Sequence, residues 1–243
     1  MSVFAISDLH LSLNESTNKS MEVFGRRWQG YTEKLEKNWR ALVSADDTVI
    51  LAGDISWALG TEEAVADLTF LNSLPGKKIV GKGNHDFWWQ TMRKLHAFKE
   101  AHALDTISFL YNNAYVVEDL IVCGTRGWFY DASCDNIPPE TDFAKIVARE
   151  VGRLRLSLEE GKKLQAEHPE KRIAVFLHFP VLWMGKRSPE ILSVLKEYGI
   201  RECYFGHVHG NYEMPMEFEE EGIRFFVTSA DFLHFTPKLI PTR

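Results

Sequence analysis

Residues 79–86 read Ile79-Val80-Gly81-Lys82-Gly83-Asn84-His85-Asp86, a short apolar run followed at once by side chains that can bind metal. The apolar run is typical of a buried strand, and asparagine, histidine and aspartate supply oxygen and nitrogen ligands. The same arrangement recurs along the chain. The five groups are Asp8-Leu9-His10, Gly53-Asp54, Gly83-Asn84-His85-Asp86, His178 and Gly206-His207-Val208-His209. Ligand-type residues thus follow five separate apolar runs.

These apolar runs are predicted strands. They are Val3 to Ile6, Val49 to Leu51, Ile79 to Val80, Ile173 to Leu177 and Tyr204 to Phe205. Strands that lie side by side and end at the same edge would bring the five groups to one rim. Two carboxylates, one amide oxygen and four imidazoles would meet there, and such a set suits two metal ions.

Each group alone has an ordinary structural explanation. An Asp-x-His pair is common by chance, Gly-Asp after a strand is usually a turn, and an isolated His178 is more often a buried core histidine. Five such groups in order, each at a predicted strand end, are hard to reach by accident. The combination is what indicates a metal site.

Within this set, Asp54 is the candidate for a carboxylate shared by two ions, because each of its oxygens can face one of them. Asn84 adds a neutral oxygen, which limits the negative charge in the site. Nitrogen and oxygen ligation without thiolate favours Mn, Fe or Zn over Ca or Mg. The expected cofactors are therefore two divalent or trivalent ions of these metals.

The composition is ordinary for a soluble globular protein, with 45% hydrophobic and 26% charged residues among 243. This length suits one sizeable α/β domain, and we expect a single domain over residues 1–243. No apolar run is long enough to span a bilayer, so membrane insertion is not expected. Cys123, Cys134 and Cys203 are odd in number and widely spaced, which favours reduced thiols and a cytoplasmic location.

Strand-like and helix-like runs alternate in the first half of the chain, a pattern typical of βαβ units with a mainly parallel sheet. Two helices are predicted there, with apolar faces formed by Leu35, Trp39 and Leu42 and by Val65, Leu68 and Leu71. Thr61 is expected to cap the second of them. Residues 106–124 differ, because two apolar runs around the polar Glu118-Asp119 predict an antiparallel hairpin.

The second half begins with a long amphipathic helix. Its apolar face is formed by Phe143, Val147, Val151, Leu154 and Leu158. Near the end of the sequence, Ile223 to Val227 is expected to pair with Met214 to Phe218 across an acidic turn, Glu219-Glu220-Glu221-Gly222.

Taken together, the five groups resemble the motif set of the calcineurin-like metallophosphoesterase superfamily. The motifs are Asp-x-His, Gly-Asp, Gly-Asn-His-Asp, His and Gly-His-x-His, and they span residues 8–209. The resemblance implies a four-layer α/β/β/α sandwich with two central mixed β-sheets. It also implies a metal-dependent hydrolase of phosphate esters.

The resemblance further implies a role for each site residue. One metal would be held by Asp8, His10, Asp54 and His209, and the other by Asp54, Asn84, His178 and His207. His85 would contact the substrate rather than a metal, oriented by Asp86, so both are candidate catalytic residues. The neighbouring carboxylate is expected to raise the pKa of His85 and keep it ready to protonate a leaving oxygen. A hydroxide that bridges the metals would be the nucleophile.

The form of two motifs indicates a branch of the superfamily. Protein Ser/Thr phosphatases typically carry Gly-Asp-x-Val-Asp-Arg-Gly and Gly-Asn-His-Glu. Here the first motif reads Gly53-Asp54-Ile55-Ser56-Trp57, without the arginine, and the second ends in Asp86. The chain is therefore similar to the phosphodiesterase-like branch, and the expected substrate is a small phosphate ester.

Two alternatives remain. A nuclease acting on DNA or RNA can also carry Gly-Asn-His-Asp, but the net charge of −6 works against broad nucleic-acid binding. A non-catalytic scaffold of the same fold typically loses ligands, whereas every ligand position is filled here. The oligomeric state is not predicted.

Tryptophans and one arginine are candidate substrate-binding residues. Trp57, Trp88 and Trp128 lie close to ligand groups or to the Arg126 turn in the sequence and as a group could form an aromatic wall, although any single one more often packs a loop onto the core. Arg126 lies in a turn beside Gly127 and is the favoured phosphate clamp, with a solvated loop charge as the ordinary alternative.

Overall fold

The computed structural model describes residues 1–17, 19–130 and 142–241. Its α-helices are α1 (Tyr31–Leu42), α2 (Thr61–Ser73), α3 (Met92–Ala101), α4 (Phe143–Glu167) and α5 (Pro189–Glu197). Its strands are β1 (Val3–Ile6), β2 (Thr48–Leu51), β3 (Lys77–Val80), β4 (Ile107–Phe109), β5 (Ala114–Val117), β6 (Leu120–Thr125), β7 (Arg172–Leu177), β8 (Leu182–Trp183), β9 (Lys186–Arg187), β10 (Glu202–Phe205), β11 (Glu217–Glu220), β12 (Ile223–Val227) and β13 (Lys238–Ile240). A 3₁₀ helix covers Met21–Phe24.

Two large sheets form the centre of the molecule, and both are mixed. The first has the order β13-β1-β2-β3-β4, in which only the β13 edge is antiparallel. The second has the order β11-β12-β10-β7-β6-β5, with antiparallel pairing at both edges. A small β8–β9 hairpin stands apart from them. The parallel strands of each sheet therefore end at a common rim.

Residues alternate between two apolar layers along the strands, as the two-residue period of a strand requires. On β1, Phe4 and Ile6 belong to the core that includes residues of α1, α2 and α3, whereas Val3 and Ala5 face the core between the two sheets. On β7, Ala174 faces that same central core. Its neighbours on β7 pack on the other side with residues of α4 and α5. Helices thus cover both outer faces, and the predicted four-layer α/β/β/α sandwich is confirmed.

The central layer is held by stacked aromatic rings as well as aliphatic contacts. Tyr204 of β10 stacks between Phe176 of β7 and Phe226 of β12, with ring centroids 4.7 and 4.5 Å away. Their ring planes are nearly parallel, an arrangement that adds to the free energy gained by burying the rings. This stack lies across three adjacent parallel strands whose ends carry functional groups.

Two details of the first helices differ from the sequence-based expectations. Leu35 and Trp39 are fully buried, but Leu42, the last residue of α1, is half exposed, and the following Val43 takes its place in the core. Thr61 is the first helical residue of α2 and not its cap.

The N-cap of α2 is Gly60, which offers no side chain for capping. The Glu63 side chain instead accepts a hydrogen bond of 2.9 Å from the backbone N–H of Leu59. A carboxylate from the first turn thus holds the residue before Gly60, whereas the cap residue itself makes no side-chain hydrogen bond to the helix.

The predicted antiparallel hairpin is formed by β5 and β6, with Val116 opposite Ile121. The last hairpin is displaced from its predicted position, because β11 begins at Glu217 rather than Met214. Its turn is also shorter, since only Glu221 and Gly222 lie outside the strands, both with positive φ. Two left-handed residues suit the right-handed twist of paired strands.

The predicted long helix is α4, and its apolar face packs on the second sheet through Leu154 and Leu158. Cys123 and Cys203 are buried free thiols, and Cys134 lies outside the described residues. None of the helices in the described part of the chain is long and apolar enough to cross a bilayer.

Candidate metal centre

The five predicted ligand groups follow β1, β2, β3, β7 and β10, and the structure brings them together at the rim where these strands end. Backbone hydrogen bonds join the loops. Asp8 donates its N–H to Gly53, and His10 donates its N–H to Asp54. The two sheets meet here as well, because Ser7, which follows β1, donates its N–H to the backbone oxygen of Thr228, which follows β12. The rim is thus one connected layer of loops.

Four predicted ligands adopt a left-handed backbone that non-glycine residues rarely take. They are Asp8 (φ 58°), His10 (φ 46°), Asp54 (φ 52°) and His207 (φ 68°). This conformation costs roughly 1–2 kcal/mol per residue, so the surrounding contacts must hold it in place. Such strain gathers at functional sites, where side chains have to converge on one point.

Two glycines of the motifs make room for the carboxylates. A Cβ atom at Gly83 would overlap the carboxylate of Asp54, and one at Gly206 would overlap that of Asp8. Neither position tolerates a side chain without moving a carboxylate. The glycines in Gly-Asn-His-Asp and Gly-His-x-His are therefore required by close approach.

Asp8 is fully buried, and three neighbours orient its carboxylate. The hydroxyls of Ser7 and Ser229 donate to Oδ2 at 2.5 and 3.1 Å, and the N–H of His207 donates at 3.0 Å. Its Oδ1 lies 3.4 Å from Nε2 of His209. Burial alone would favour the neutral acid, but the hydrogen bond with His209 and nearby imidazoles hold the pKa of Asp8 at about 2. A buried anion therefore faces the centre.

Asp54 lies between the two halves of the site. Its Oδ1 accepts a hydrogen bond of 2.8 Å from the N–H of His85. Its Oδ2 lies 3.7 Å from Nε2 of His10 and 3.4 Å from Nε2 of His178. The sequence-based picture gave each oxygen its own metal, whereas here one oxygen faces both sets of imidazoles. Despite burial, His178 and His10 hold the pKa of Asp54 far below its usual range.

The second group of ligands converges on the side-chain oxygen of Asn84. Nε2 of His178 lies 2.7 Å from Asn84 Oδ1, and Nδ1 of His207 lies 2.9 Å from it. The other ring nitrogen of His178 lies 3.1 Å from the backbone oxygen of Ala52, which fixes the ring orientation. Burial lowers the pKa of His207 to about 3. A neutral imidazole is the form that binds metal.

The donor atoms present fit metal ions. Two groups of residues each bring three ligand atoms within 4.8 Å of one another. One group is Asp8, His10 and His209, and the other is Asp8, Asp54 and His178. Burial lowers the pKa of His10 to about 4, so its ring is neutral and can offer a lone pair. Its Nδ1 is buried with no hydrogen-bond partner in the described residues. Imidazole nitrogens and ionised carboxylates in a thiol-free set are suited to divalent metals.

Asp231 belongs to this site, although no motif in the sequence marks it. It is fully buried, and its Oδ1 lies 2.9 Å from Nδ1 of His209. The hydroxyl of Tyr212 donates to its Oδ2 at 2.9 Å. Burial opposes a charge on His209, but hydrogen bonds with Asp231 and Asp8 raise its pKa to about 10. The only signal in the sequence was its place after β12, another apolar run that ends at this rim.

His85 and Asp86 have different surroundings from those expected. Burial lowers the pKa of His85, against the predicted increase, and the Asp54 carboxylate only partly opposes this. The Asp86 carboxylate does not hydrogen-bond the His85 ring. It accepts from the N–H groups of Asp54, Ile55 and Gly83 and from the Trp88 indole. Asp86 therefore ties the β2 and β3 loops together, which corrects its expected role in orienting His85.

A cavity of about 460 Å³ opens over the ligands. It is lined by His10, Met21, Phe24, Trp28, Asp54, Trp57, His85, His207, His209, Gly210 and Tyr212. Trp57 stacks on His10 with ring centroids 4.8 Å apart, and its centroid is 4.3 Å from that of His85. Trp28 was not among the candidates because it lies far from every ligand group in the sequence.

Three other candidate substrate residues do not line this cavity. Trp88 is fully buried against Asp86, so it packs the loop rather than forming a wall. The Arg126 guanidinium lies 3.3 Å from the carboxylate of Glu150 and 4.6 Å from the ring centre of Trp128. Arg126 is thus engaged with Glu150 on α4 and with Trp128. Their expected contact with substrate is therefore not supported.

Comparison with known proteins agrees with this geometry. The family model of calcineurin-like phosphoesterases matches residues 1–211, so the chain belongs to that family. No curated protein sequence matches it. Family and site together identify a metal-dependent phosphoesterase, with buried Asp and His groups able to bind divalent ions.

The solved structures that share the fold include the following two. The phosphopantetheinyl hydrolase (PptH) from Mycobacterium tuberculosis is 15% identical, with a TM-score of 0.60 over 100% of this chain and 96% of that one. The protein TT1561 of Thermus thermophilus is 14% identical, with a TM-score of 0.53 over 99% and 98%. At these identities the likeness concerns the fold alone.

Proposed function

We propose that this phosphoesterase uses two metal ions to hydrolyse small phosphate esters, as a phosphodiesterase or a small-molecule phosphohydrolase. The observation that carries the proposal is the position of Asp54. Its Oδ2 lies within 3.7 Å of His10 Nε2 and 3.4 Å of His178 Nε2, between two separate sets of ligands. A single oxygen so placed can be shared by two ions.

The proposed ligands divide into two sets that share Asp54. The first is Asp8, His10, Asp54 and His209, and the second is Asp54, Asn84, His178 and His207. The first set is supported by the distance of 3.4 Å between Asp8 Oδ1 and His209 Nε2. The second is supported by the two imidazole nitrogens within 2.9 Å of Asn84 Oδ1. We propose Mn, Fe or Zn as the native metals, because the donors are nitrogen and oxygen.

The chemistry divides between the ions and the protein. When bound, the ions would polarise the phosphoryl oxygens and lower the pKa of water to supply the nucleophile. His85 borders the cavity beside Trp57, where its ring can donate a proton to the leaving oxygen. Because burial lowers its pKa, the protonated ring is a stronger acid than an exposed histidine. Asp86 holds the loops that carry Asp54 and His85.

The lining of the cavity favours a small substrate over nucleic acid. Among its described lining residues there is no lysine or arginine, whereas binding of a nucleic-acid backbone depends on clustered cations. A nuclease is therefore the weaker alternative. A non-catalytic scaffold is disfavoured because all seven proposed ligands converge on the rim. We further propose one domain over residues 1–243 and a cytoplasmic location, supported by the free buried thiols of Cys123 and Cys203.

A substrate panel with added Mn²⁺ tests the proposal. It comprises bis(p-nitrophenyl) phosphate, p-nitrophenyl phosphate, cyclic nucleotides, a phosphoserine peptide and single-stranded DNA. A phosphopantetheinyl ester joins it because one structural neighbour is a phosphopantetheinyl hydrolase. We expect metal-dependent turnover of small esters, lost on chelation and restored by Mn²⁺. Faster cleavage of the peptide or the DNA than of every small ester would overturn the assignment.

A further inference from the structure

A second pocket opens beside the metal cavity. Its volume is about 370 Å³, and its described lining consists of Lys19, Ser20, Met21, Val23, Phe24 and Trp57. Met21, Phe24 and Trp57 also line the metal cavity, so the two spaces adjoin through these side chains. Four of the six lining residues are apolar. We refer to this space as the side pocket.

The 3₁₀ helix that forms one wall of the side pocket is held in place by hydrogen bonds. The Ser20 hydroxyl accepts from the N–H of Glu22, and the Glu22 carboxylate accepts from the N–H of Gly30 at 2.8 Å. Met21 is buried beneath, which anchors the segment to the core. Val23 and Phe24 are nevertheless 81% and 69% exposed. Two large apolar side chains are thus exposed at the mouth of the site, on a segment that is anchored to the core.

Trp57 forms the boundary between the two spaces. Within the metal cavity its ring stacks on His10, a proposed ligand, at a centroid distance of 4.8 Å. Lys19 Nζ lies 5.1 Å from the centre of the same ring. A group bound in the side pocket would therefore be separated from the phosphate at the metal centre by the Trp57 ring. Apolar surface rimmed by polar residues at such a place marks a binding site.

We propose that the side pocket binds an apolar alkyl or aryl substituent of the ester whose phosphate lies at the metal centre. The inference rests on the proposed function, because it assigns a substrate class to the same site. Val23, Phe24 and Trp57 would be covered by the substituent, and the removal of their surface from water would supply affinity. Lys19 would remain at the rim.

A homologous series of p-nitrophenyl alkyl phosphates, from methyl to octyl, tests this assignment. We expect the KM to fall by roughly fourfold per added methylene until the pocket is filled, which corresponds to the ~0.8 kcal/mol of a buried CH₂. Phe24→Ala and Val23→Ser should flatten this dependence. Both side chains are mostly exposed, so the fold should be unaffected. The matched control is Leu156→Ala, an exposed apolar residue on α4, which should leave the slope unchanged.

Binding without turnover separates this inference from the proposed function. By calorimetry, n-hexylphosphonate should bind at least tenfold more tightly than methylphosphonate, and Phe24→Ala should reduce the difference. If no ester is cleaved but this preference holds, the side pocket stands and the proposed function fails. A KM independent of chain length, with equal binding of both phosphonates, overturns the side pocket. If, in that case, the protein sediments with phosphatidylcholine vesicles and Phe24→Ala abolishes the sedimentation, the exposed residues form a membrane contact instead.

Discussion

Two regions of this protein bury carboxylates, and they balance the negative charge in different ways. On α4, Glu150 is fully buried, with Arg153 2.6 Å away, Arg126 3.3 Å away and the Thr125 hydroxyl donating at 2.9 Å. At the rim, Asp8 and Asp54 are equally buried, but within the described residues their ion-pair partners are all histidines.

The difference separates a structural charge from a functional one. Arginine remains protonated at any physiological pH, so Glu150 is neutralised permanently by the fold. Imidazoles can be neutral and donate a lone pair, so the rim carboxylates are arranged for a cation that enters from solution. The absence of arginine beside Asp8 and Asp54 among the described residues is therefore as informative as the histidines that are present.

The largest expected effect is that of Asp54→Asn. The shared carboxylate would become a neutral amide, so both metal positions should lose affinity together and turnover should fall to near background. Elemental analysis after purification with Mn²⁺ measures the loss, with circular dichroism as the check on folding. If the variant retains two metal equivalents and full activity, Asp54 does not bridge the ions, and the functional difference between Asp54 and Glu150 is not supported.

His85→Ala distinguishes residues that hold metal from residues that border it. The variant should keep both metals, because the His85 contact with Asp54 is made by the backbone N–H. Turnover should fall on the order of 10²–10⁴-fold, the range for a lost general acid. The loss should be greater for alkyl leaving groups than for nitrophenolate, which needs little protonation. Metal loss in this variant would place the imidazole among the ligands.

Glu150→Gln makes the corresponding change in the other region. Arg126 and Arg153 would lose their carboxylate, and we expect the free energy of unfolding to fall by about 3 kcal/mol, the low end for a broken buried pair because both arginines are partly exposed. Urea denaturation measures this change. Metal content should be unaltered. A coupled loss of metal would mean that the two carboxylate regions are not independent.

The smallest expected effect is that of Asp231→Asn, which keeps the shape but removes the charge behind His209. Metal affinity should weaken by roughly 10- to 100-fold, as for other carboxylates that orient a ligating histidine. Competition with a chelator measures it in the absence of substrate. Tyr212→Phe, which removes only the hydroxyl bound to Asp231 Oδ2, is the matched control and should change the affinity less. Equal effects would show that the hydrogen-bonded position of Asp231, not its charge, is responsible.

The order of the ligand groups was predictable because it depends on local pattern. An apolar run of four residues defines a strand, and the loop that follows a parallel strand lies at the shared rim. His178 illustrates this, since a lone histidine gained its meaning only from the position of β7 beside β10. The four-layer fold followed from the same motifs through the family resemblance.

The direction of individual side chains was not predictable, because distant segments determine it. Trp57 and Trp88 lie equally near ligand groups in the sequence, yet one lines the cavity and the other packs against Asp86. The Arg126 guanidinium contacts the carboxylate of Glu150 on α4, and no local sequence motif predicts this contact. Asp231 lacked any motif of its own. The direction of each side chain depends on which residues lie beside it in the folded chain.

Hydrogen bonds between backbone N–H groups and carboxylates join the loops of the rim, so that these loops should open together. His207 gives its N–H to the Asp8 carboxylate across 199 residues of chain, His85 gives its N–H to Asp54, and Asp54 gives its own to Asp86. None of these amide protons can reach solvent unless a carboxylate from another loop moves away. Hydrogen exchange should therefore show them as one cooperative unit that opens together, although their neighbours in the sequence belong to different strands.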